Sequence, residues 1–516
     1  MTKSKQMTFK RFITMGFLAA LVAACQDQDH KVANHSNEDQ SEIYQPNWES
    51  LAEHDEAPEW FADSKLGIYF HWGVYSVPAF GSEWYPWYMY RPDDNKIAKH
   101  HKETYGDPSE FNYHDFVPDF TAEEFDAENW AQLFQDAGAK FAGPVAQHHD
   151  GFAMWDSKVN PWNAADRGPK QDITGKLANS LKSRGLKLIT TFHHARNGQR
   201  YAADSTQWGG FASHFTYDPR YATSSTDPDL SKLYGNLPEG EFDQYWFDQL
   251  KEVIDQYSPD IIWFDTWLNM IPESYRQQFA AYYLNEAKKK NQEVVIAYKQ
   301  NDMPKSLGIL DIEQGGKKDL SETVWLTDVT LGKRSWSYIE GQEYKPAELV
   351  IRNMIDVWSK NGIVLLNVSP TAKGVINQEQ RTVLAEIGSW MKSNGEAVYG
   401  TRPFDVYGFG DAHAAEGHFG GQSATVEYTA RDGRFLKSKD GKFLYLFMLG
   451  KPEVGSDIEI KQLAEFEYFP SRGVKKITVL ESGKEVEWKM IDQRFHLTIP
   501  DDKMNDIATV FKFELN

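Results

Sequence analysis

From Trp48 onward, short apolar runs alternate with segments whose apolar residues recur every three to four positions. Residues 66–70, 141–145, 186–192, 261–264, 294–298, 308–312, 324–326 and 363–366 form the runs, and each predicts a buried strand. The helical spacing is clear in Trp130, Leu133, Phe134 and Ala137 before Gly138, and in Leu177, Ala178 and Leu181 before Gly185. It recurs in Tyr245, Trp246, Leu250, Val253, Ile254 and Tyr257, and again in Phe279, Tyr282, Tyr283 and Ala287. Strand and helix repeated around eight runs predict an α/β fold of the (β/α)8 barrel type over residues 46–400. The gaps between the runs ending at Tyr298, Ile312 and Leu326 are too short for full helices, so the barrel is expected to be irregular. No internal sequence repeat accompanies the pattern.

Past Tyr399 and Gly400 the helical period gives way to short alternating runs at 424–428, 443–448 and 474–480, punctuated by Gly, Asp and Pro. Residues 401–516 therefore read as a C-terminal antiparallel β-sandwich. At the other end, Lys3, Lys5, Lys10 and Arg11 precede an apolar run over 12–24, too short to span a bilayer. The run closes on Val22, Ala23, Ala24 and Cys25, which looks like a bacterial lipoprotein processing site. Residues 1–25 are expected to be a signal peptide with Cys25 lipidated, and 26–45 a polar tether. The expected location is exported, periplasmic or cell-surface, with the lipid as the only membrane contact. Cys25 is the chain's single Cys, so no disulfide and no thiol nucleophile is expected in the body.

The charge narrows the partners. Lys and Arg number 55 against 75 Asp and Glu, a net charge of −20, which argues against nucleic acid and anionic lipid. The 17 Trp, 25 Tyr and 31 Phe make 14% of the chain aromatic; core packing accounts for most of them, and the richness also suggests stacking surfaces.

The carboxyl ends of the expected strands carry His71, then His148, His149 and Asp150, then His193 and His194, then Asp265 and Glu313. On a barrel of parallel strands that rim is where catalytic residues stand, although one polar residue at a strand end is also a common cap or turn. A Zn2+ held by His71, His148 and Asp265 is an alternative reading of the cluster. No paired His at helical spacing supports it, and the company of Trp263, Phe264 and Trp267 suits a sugar better. No metal and no cofactor is expected. The chain lacks a phosphate loop, a dinucleotide fingerprint and a nucleophile elbow.

From Trp60 to Arg402 the motifs resemble those of the α-L-fucosidases of glycoside hydrolase family 29. Trp60-Phe61 with residues 65–76 is similar to the family's opening strand, and Glu83-Trp84-Tyr85 to its Glu-Trp-Tyr. Residues 137–140 followed by Gln147-His148-His149-Asp150-Gly151-Phe152 resemble its second-strand motif, with Gln147 in place of the usual Lys. Residues 257–265 match the segment that carries the nucleophile, and 361–370 with 394–402 the late-barrel pattern. The resemblance implies a retaining exo-α-L-fucosidase that removes terminal α-L-fucosyl residues by double displacement. It implies Asp265 as nucleophile, with His71, Glu83, Trp84, His148 and His149 around the fucose hydroxyls and Trp336 as an aromatic wall. The third-strand segment 190–195 departs from the common pattern, so His193 and His194 are offered there as sugar contacts in place of a Tyr.

Retention needs a carboxylate on one face of the sugar and a carboxylic acid on the other, about 5–5.5 Å apart. Glu313, at the end of the sixth run, fits the acid, and Glu322, Glu340 and Glu343 remain alternatives. A reading from another class also stands: an exported protein that binds fucosylated glycans on a barrel that has lost turnover. Linkage preference and oligomeric state are not legible in the sequence.

Overall fold

The computed structural model describes residues 43–91, 95–200, 203–207, 213–417, 425–463 and 473–516, so Cys25 and nearly all of the expected tether lie outside the described residues. Every element named below belongs to one compact unit, residues 44–516. Eight parallel strands, β1 (Leu66–Phe70), β2 (Phe141–Gln147), β3 (Lys187–Phe192), β4 (Ile261–Phe264), β5 (Val295–Lys299), β6 (Ile309–Asp311), β7 (Trp325–Thr330) and β8 (Gly362–Val368), form a closed barrel. Closure comes from β1, which pairs with β2 through Gly67 and Phe141 and with β8 through Gly67 and Leu365. Each expected run thus became a strand. As the short gaps foretold, no helix separates β5 from β6 or β6 from β7.

The two-residue period of a strand divides each run between two cores. Tyr69, Ile189, Ile261, Trp263, Val295, Ala297, Ile309, Leu326, Ile363 and Leu365 fill the barrel interior, while Ile68, Phe70, Ile262, Phe264, Ile296, Val364 and Leu366 face the surrounding helices. Gly67 is required by that interior: a Cβ there would stand 2.0 Å from the Phe141 ring. Helices Ala127–Asp136 and Ile173–Ser183 start at Asp126 and Asp172, whose carboxylates accept from the Asn129 and Gly175 backbone N–H groups, and helix Glu239–Tyr257 starts just after Pro238. No helix of the described residues is long and apolar enough to cross a membrane.

Beyond the barrel, β9 (Thr401–Phe409), β10 (Gly433–Ser438), β11 (Phe443–Met448), β13 (Val474–Val479) and β16 (Thr509–Leu515) form an antiparallel sheet. A second sheet is built from β12 (Asp457–Ile460), β14 (Trp488–Ile491) and β15 (Arg494–Thr498), and the two share a core of Phe435, Leu446, Phe495, Leu497, Phe511 and Phe513. The strand expected over 424–428 does not form: Ala424 lies outside the described residues and 425–428 belong to no strand. Both backbone polar groups of Val426 are instead satisfied by the Asn353 amide, on helix Ala347–Ser359, at 2.8 and 2.9 Å. That side-chain partner removes the reason to pair with a neighbouring strand.

The same helix anchors the C-terminal sheet through a buried ion pair. Arg434 Nε donates to Asp356 Oδ1 at 2.6 Å, Lys360 Nζ lies 2.9 Å from Asp356 Oδ2, and the rest of the guanidinium donates to the carbonyls of Phe409, Gly433 and Ala412. Removing Arg434 leaves Asp356 paired with Lys360 but takes the guanidinium donor from the carbonyls of Phe409, Gly433 and Ala412. Arg434→Leu is expected to cost about 1–3 kcal/mol, seen as a clear fall in the thermal midpoint. An unchanged midpoint would mean that apolar contacts alone hold the sheet to the barrel.

Candidate active site

The alternation that fills the barrel also aims its rim. Continuing the inward positions past the strand ends gives Tyr69 to His71, Ile189 to His193, Trp263 to Asp265, Ala297 to Lys299, Ile309 through Asp311 to Glu313, Leu326 to Asp328 and Leu365 to Asn367. On β2 a bulge between Val145 and Gln147 breaks the alternation just before the chain turns, and His148 and His149 both reach the same cavity. The cavity, about 230 Å³, is lined by His71, Glu83, Trp84, His148, His149, His193, Asp265, Thr266, Trp267, Lys299, Glu313, Asp328 and Trp336. Sites for drug-sized ligands run to about 300–1,000 Å³, so this volume admits one pyranose ring rather than a chain. A larger hollow of about 1160 Å³ lies at the opposite end of the barrel, against the starts of β3 and β4 at Lys187 and Asp260, and carries no such cluster.

At the centre of the cavity stands the Lys299 ammonium. Its Nζ lies 3.1 Å from Asp265 Oδ1, 2.8 Å from Glu313 Oε2, 3.3 Å from Asp328 Oδ2 and 3.9 Å from Asp311 Oδ2. Tyr69 Oη donates to Asp328 at 3.0 Å from below. Asp265 is also met by His149 Nε2 at 3.2 Å and His193 Nδ1 at 3.3 Å, both on Oδ2. Burial alone would raise the Asp265 pKa, but Lys299, His193 and His149 together hold it well below the usual carboxylate range. Glu313 has the opposite fate: burial, with the charges of Asp328 and Asp265 added, outweighs its contact with Lys299 and pushes it up to about 7. Asp311 is driven well above its ordinary value by burial and by Asp328 beside it. The shared ammonium limits the nearest oxygen–oxygen separation of Asp265 and Glu313 to the sum of the two contacts, about 5.9 Å.

Around the carboxylates the wall is imidazole and indole. His71 packs 5.3 Å from Trp336, 5.5 Å from His148 and 5.4 Å from His193 between ring centroids, and its backbone N–H and Nδ1 both donate to Asn367 Oδ1 at 2.9 Å. Burial, then neighbouring His193, holds the pKa of both His71 and His148 well below the ordinary value, so both are neutral at neutral pH. Glu83 accepts from Ser335 Oγ and the Trp336 backbone N–H at 3.2 Å, which ties the loop after β1 to the loop after β7. Trp84 packs on His149 at 5.7 Å and beneath the Arg196 guanidinium at 4.5 Å. Trp267, two residues past Asp265, lines the cavity with a left-handed φ of 75°, an uncommon backbone for a bulky residue and of the kind found at functional sites.

Of the residues singled out in the sequence, His194 does not join this group. It lies outside the barrel wall, stacked on Trp246 at 5.7 Å with Nε2 3.3 Å from the Trp246 carbonyl. The reason is parity: in a regular strand end, His193 pointing inward sends His194 outward. Glu322, Glu340 and Glu343 are all exposed and away from the cavity, which leaves Glu313 as the carboxyl partner of Asp265. Sequence reasoning missed Lys299, Asp311 and Asp328. Lys299 was findable, since it is the next inward step after Ala297 on an expected strand.

Comparison with known proteins agrees with this geometry. The family profile described as alpha-L-fucosidase matches residues 31–396. Rat tissue alpha-L-fucosidase is 32% identical over 402 residues, covering 76% of this chain and 79% of the relative, and human plasma alpha-L-fucosidase is 32% identical over 373 residues, covering 69% and 72%. The crystal structure of Thermotoga maritima alpha-fucosidase in complex with fucose is similar with a TM-score of 0.70 at 27% identity, over 91% of this chain and 100% of that one. With a family match across the whole barrel and relatives at this level of identity, the chain belongs to the α-L-fucosidase family of glycoside hydrolases.

Proposed function

We propose that this protein is a retaining exo-α-L-fucosidase that hydrolyses terminal α-L-fucosyl residues of oligo- or polysaccharides by double displacement. One observation carries the reading: Asp265 and Glu313 share the Lys299 ammonium, yet the first is held ionised and the second protonated near neutrality. Two carboxyl groups with pKa values pushed apart are the acid and the nucleophile of such chemistry. Their nearest oxygens, at most about 5.9 Å apart, are compatible with the ~5–5.5 Å between the carboxyl groups of retaining enzymes.

Asp265 attacks the anomeric carbon and forms a covalent fucosyl ester while Glu313 gives its proton to the departing glycosidic oxygen. Glu313, now ionised and next to Lys299, then takes a proton from water as that water displaces Asp265, which returns the original α configuration. Neutral His71 and His148 each offer one donor and one acceptor to sugar hydroxyls, and Glu83 offers acceptors. Trp336 and Trp84 supply apolar walls, and the half-buried Trp267 is suited to the leaving group.

The two carboxyls are separable by experiment. Glu313→Ala is expected to lower kcat/KM on fucosyl oligosaccharides about 10²–10⁴-fold, and far less on an aryl α-L-fucoside whose phenolate leaves without a proton. Azide should rescue Glu313→Ala with an α-fucosyl azide and Asp265→Gly with the inverted β azide. Near-normal turnover of oligosaccharides by Glu313→Ala refutes its role, β-L-fucose as the first product of the wild type refutes retention, and a wild type that binds fucosylated glycans without turnover hands the case to the binding-protein reading.

The pH profile follows from the same pair. A general acid must be protonated, so kcat/KM on oligosaccharides is expected to fall as pH rises through about 7, the value of Glu313. The nucleophile must be ionised, so the acidic limb should lie below the usual carboxylate range. Lys299→Met removes the cation that lowers both, and both limbs should move to higher pH. Limbs unmoved in that variant would dissociate Lys299 from the titration.

We further infer that the protein is exported and tethered through lipidated Cys25. The basic segment before the apolar run over 12–24 and the small residues preceding the lone Cys support this. Cys25→Ser should move the protein from the membrane fraction to the soluble one; retention in membranes would locate the anchor elsewhere.

A further inference from the structure

We propose that His71, His148 and His193 form a site for one borderline-soft divalent cation, of which Zn2+ is the type, and that the bound ion excludes the sugar and so inhibits the enzyme instead of serving its chemistry. One ring nitrogen from each of the three lies within 4.8 Å of the others. A tetrahedral Zn2+ with Zn–N bonds of about 2.0–2.1 Å holds its ligand nitrogens about 3.3–3.4 Å apart, so the rings must close by up to about 1.4 Å to complete the triad. The donors are all imidazole, which suits zinc, copper or nickel and not the oxygen-seeking Mg2+ or Ca2+.

The outer contacts are those of metal-ligating His. Asn367 Oδ1 accepts from His71 Nδ1 at 2.9 Å, and the Asp265 carboxylate accepts from His193 Nδ1 at 3.3 Å. Each contact fixes the tautomer with its hydrogen on Nδ1 and leaves the Nε2 lone pair for an ion. His193 Nε2 and His148 Nδ1 are buried with no hydrogen-bond partner among the described residues. Three imidazoles leave a fourth position that opens on the cavity, as in zinc sites that keep a water. The set weighed as an alternative in the sequence, His71, His148 and Asp265, is not the one that converges. The other convergent set is His149, His193 and Asp265, but there His149 Nδ1 is committed to the His193 carbonyl at 2.6 Å and Nε2 to Asp265 at 3.2 Å. Both of its nitrogens are already used.

That the ion competes with sugar rests on the proposed function; that it binds does not. The test is titration of the full protein with Co2+, read as the visible absorption of a low-symmetry imidazole complex, and with Zn2+ by calorimetry. One equivalent is expected, with the Co2+ band lost in His148→Phe and kept in His149→Phe. Because an added ring could disturb the fold, His71→Gln provides a second loss variant, with thermal midpoints measured for all three. In the wild type, L-fucose should displace Co2+, and Zn2+ should raise KM on an aryl α-L-fucoside at unchanged kcat. No binding, or a band that survives both loss variants, overturns the site. A band lost in His148→Phe but retained in His149→Phe upholds the site, and if L-fucose nonetheless leaves the wild-type band unchanged, the shared pocket is overturned.

Discussion

One buried ammonium organises the site. Lys299 faces four carboxyl groups, and an interior of low polarity cannot hold four negative charges around a single positive one. Protons must make up the difference, and the structure decides where they go. Asp311, deepest and next to Asp328, is driven to keep one, and Glu313 holds one near neutrality. Asp265 alone among the three shifted carboxyls has two imidazoles on the same oxygen, and those contacts tip it to the ionised side. The division of labour between two chemically similar groups is thus a consequence of which donors each can reach, with the lysine common to both.

Those donors reach Asp265 because of strand parity. Ile261 and Trp263 pack the barrel interior, and the next step of the same period is Asp265; the rule holds for Ala297 to Lys299 and for Ile189 to His193. This is why so much of the fold and site was legible in the sequence. Apolar runs locate strands, strand ends locate the rim, and the polar residue one step beyond the run is the one that enters the cavity. The failures have the same origin. Reading β7 as 324–326 stopped before Asp328, because Thr327, Asp328 and Thr330 end the apolar signal although all three are buried within the strand. Two His-His pairs looked alike in sequence, yet the bulge on β2 brings both His148 and His149 to the cavity while the regular end of β3 brings only His193. A bulge has no apolar signature, and the strand expected at 424–428 was lost to an equally silent partner, the Asn353 amide.

The same buried wall explains how four imidazoles can crowd together. Were His71 and His148 charged, their repulsion and the cost of burial would open the rim; neutral, they pack as small aromatic rings with centroids 5.5 Å apart. Neutral imidazole is also the form with a lone pair, so the property that lets the rings pack is the property that lets them accept from a hydroxyl or ligate an ion. Asn367, which binds the His71 ring and backbone and donates to the Trp336 carbonyl at 2.7 Å, ties this wall to the aromatic one.

The depth of the cavity bears on how a glycan would enter. Its floor is the packed barrel: Trp263 is buried with Lys299 over its ring at 4.9 Å and His193 at 5.2 Å, and beneath it lie Tyr69, Ile189 and Leu365. Nothing can thread through such a floor. The loops after β1, β2 and β7 wall the cavity and are joined by the Glu83 contacts to Ser335 and Trp336, so a packed floor lies opposite the way in. A ring in the interior of a polysaccharide would have to bring two continuing chains through one opening, whereas a terminal ring brings one. This asymmetry supports the exo mode we propose, and Trp267, a half-buried aromatic lining the cavity in an uncommon backbone conformation, is suited to meet the rest of the substrate.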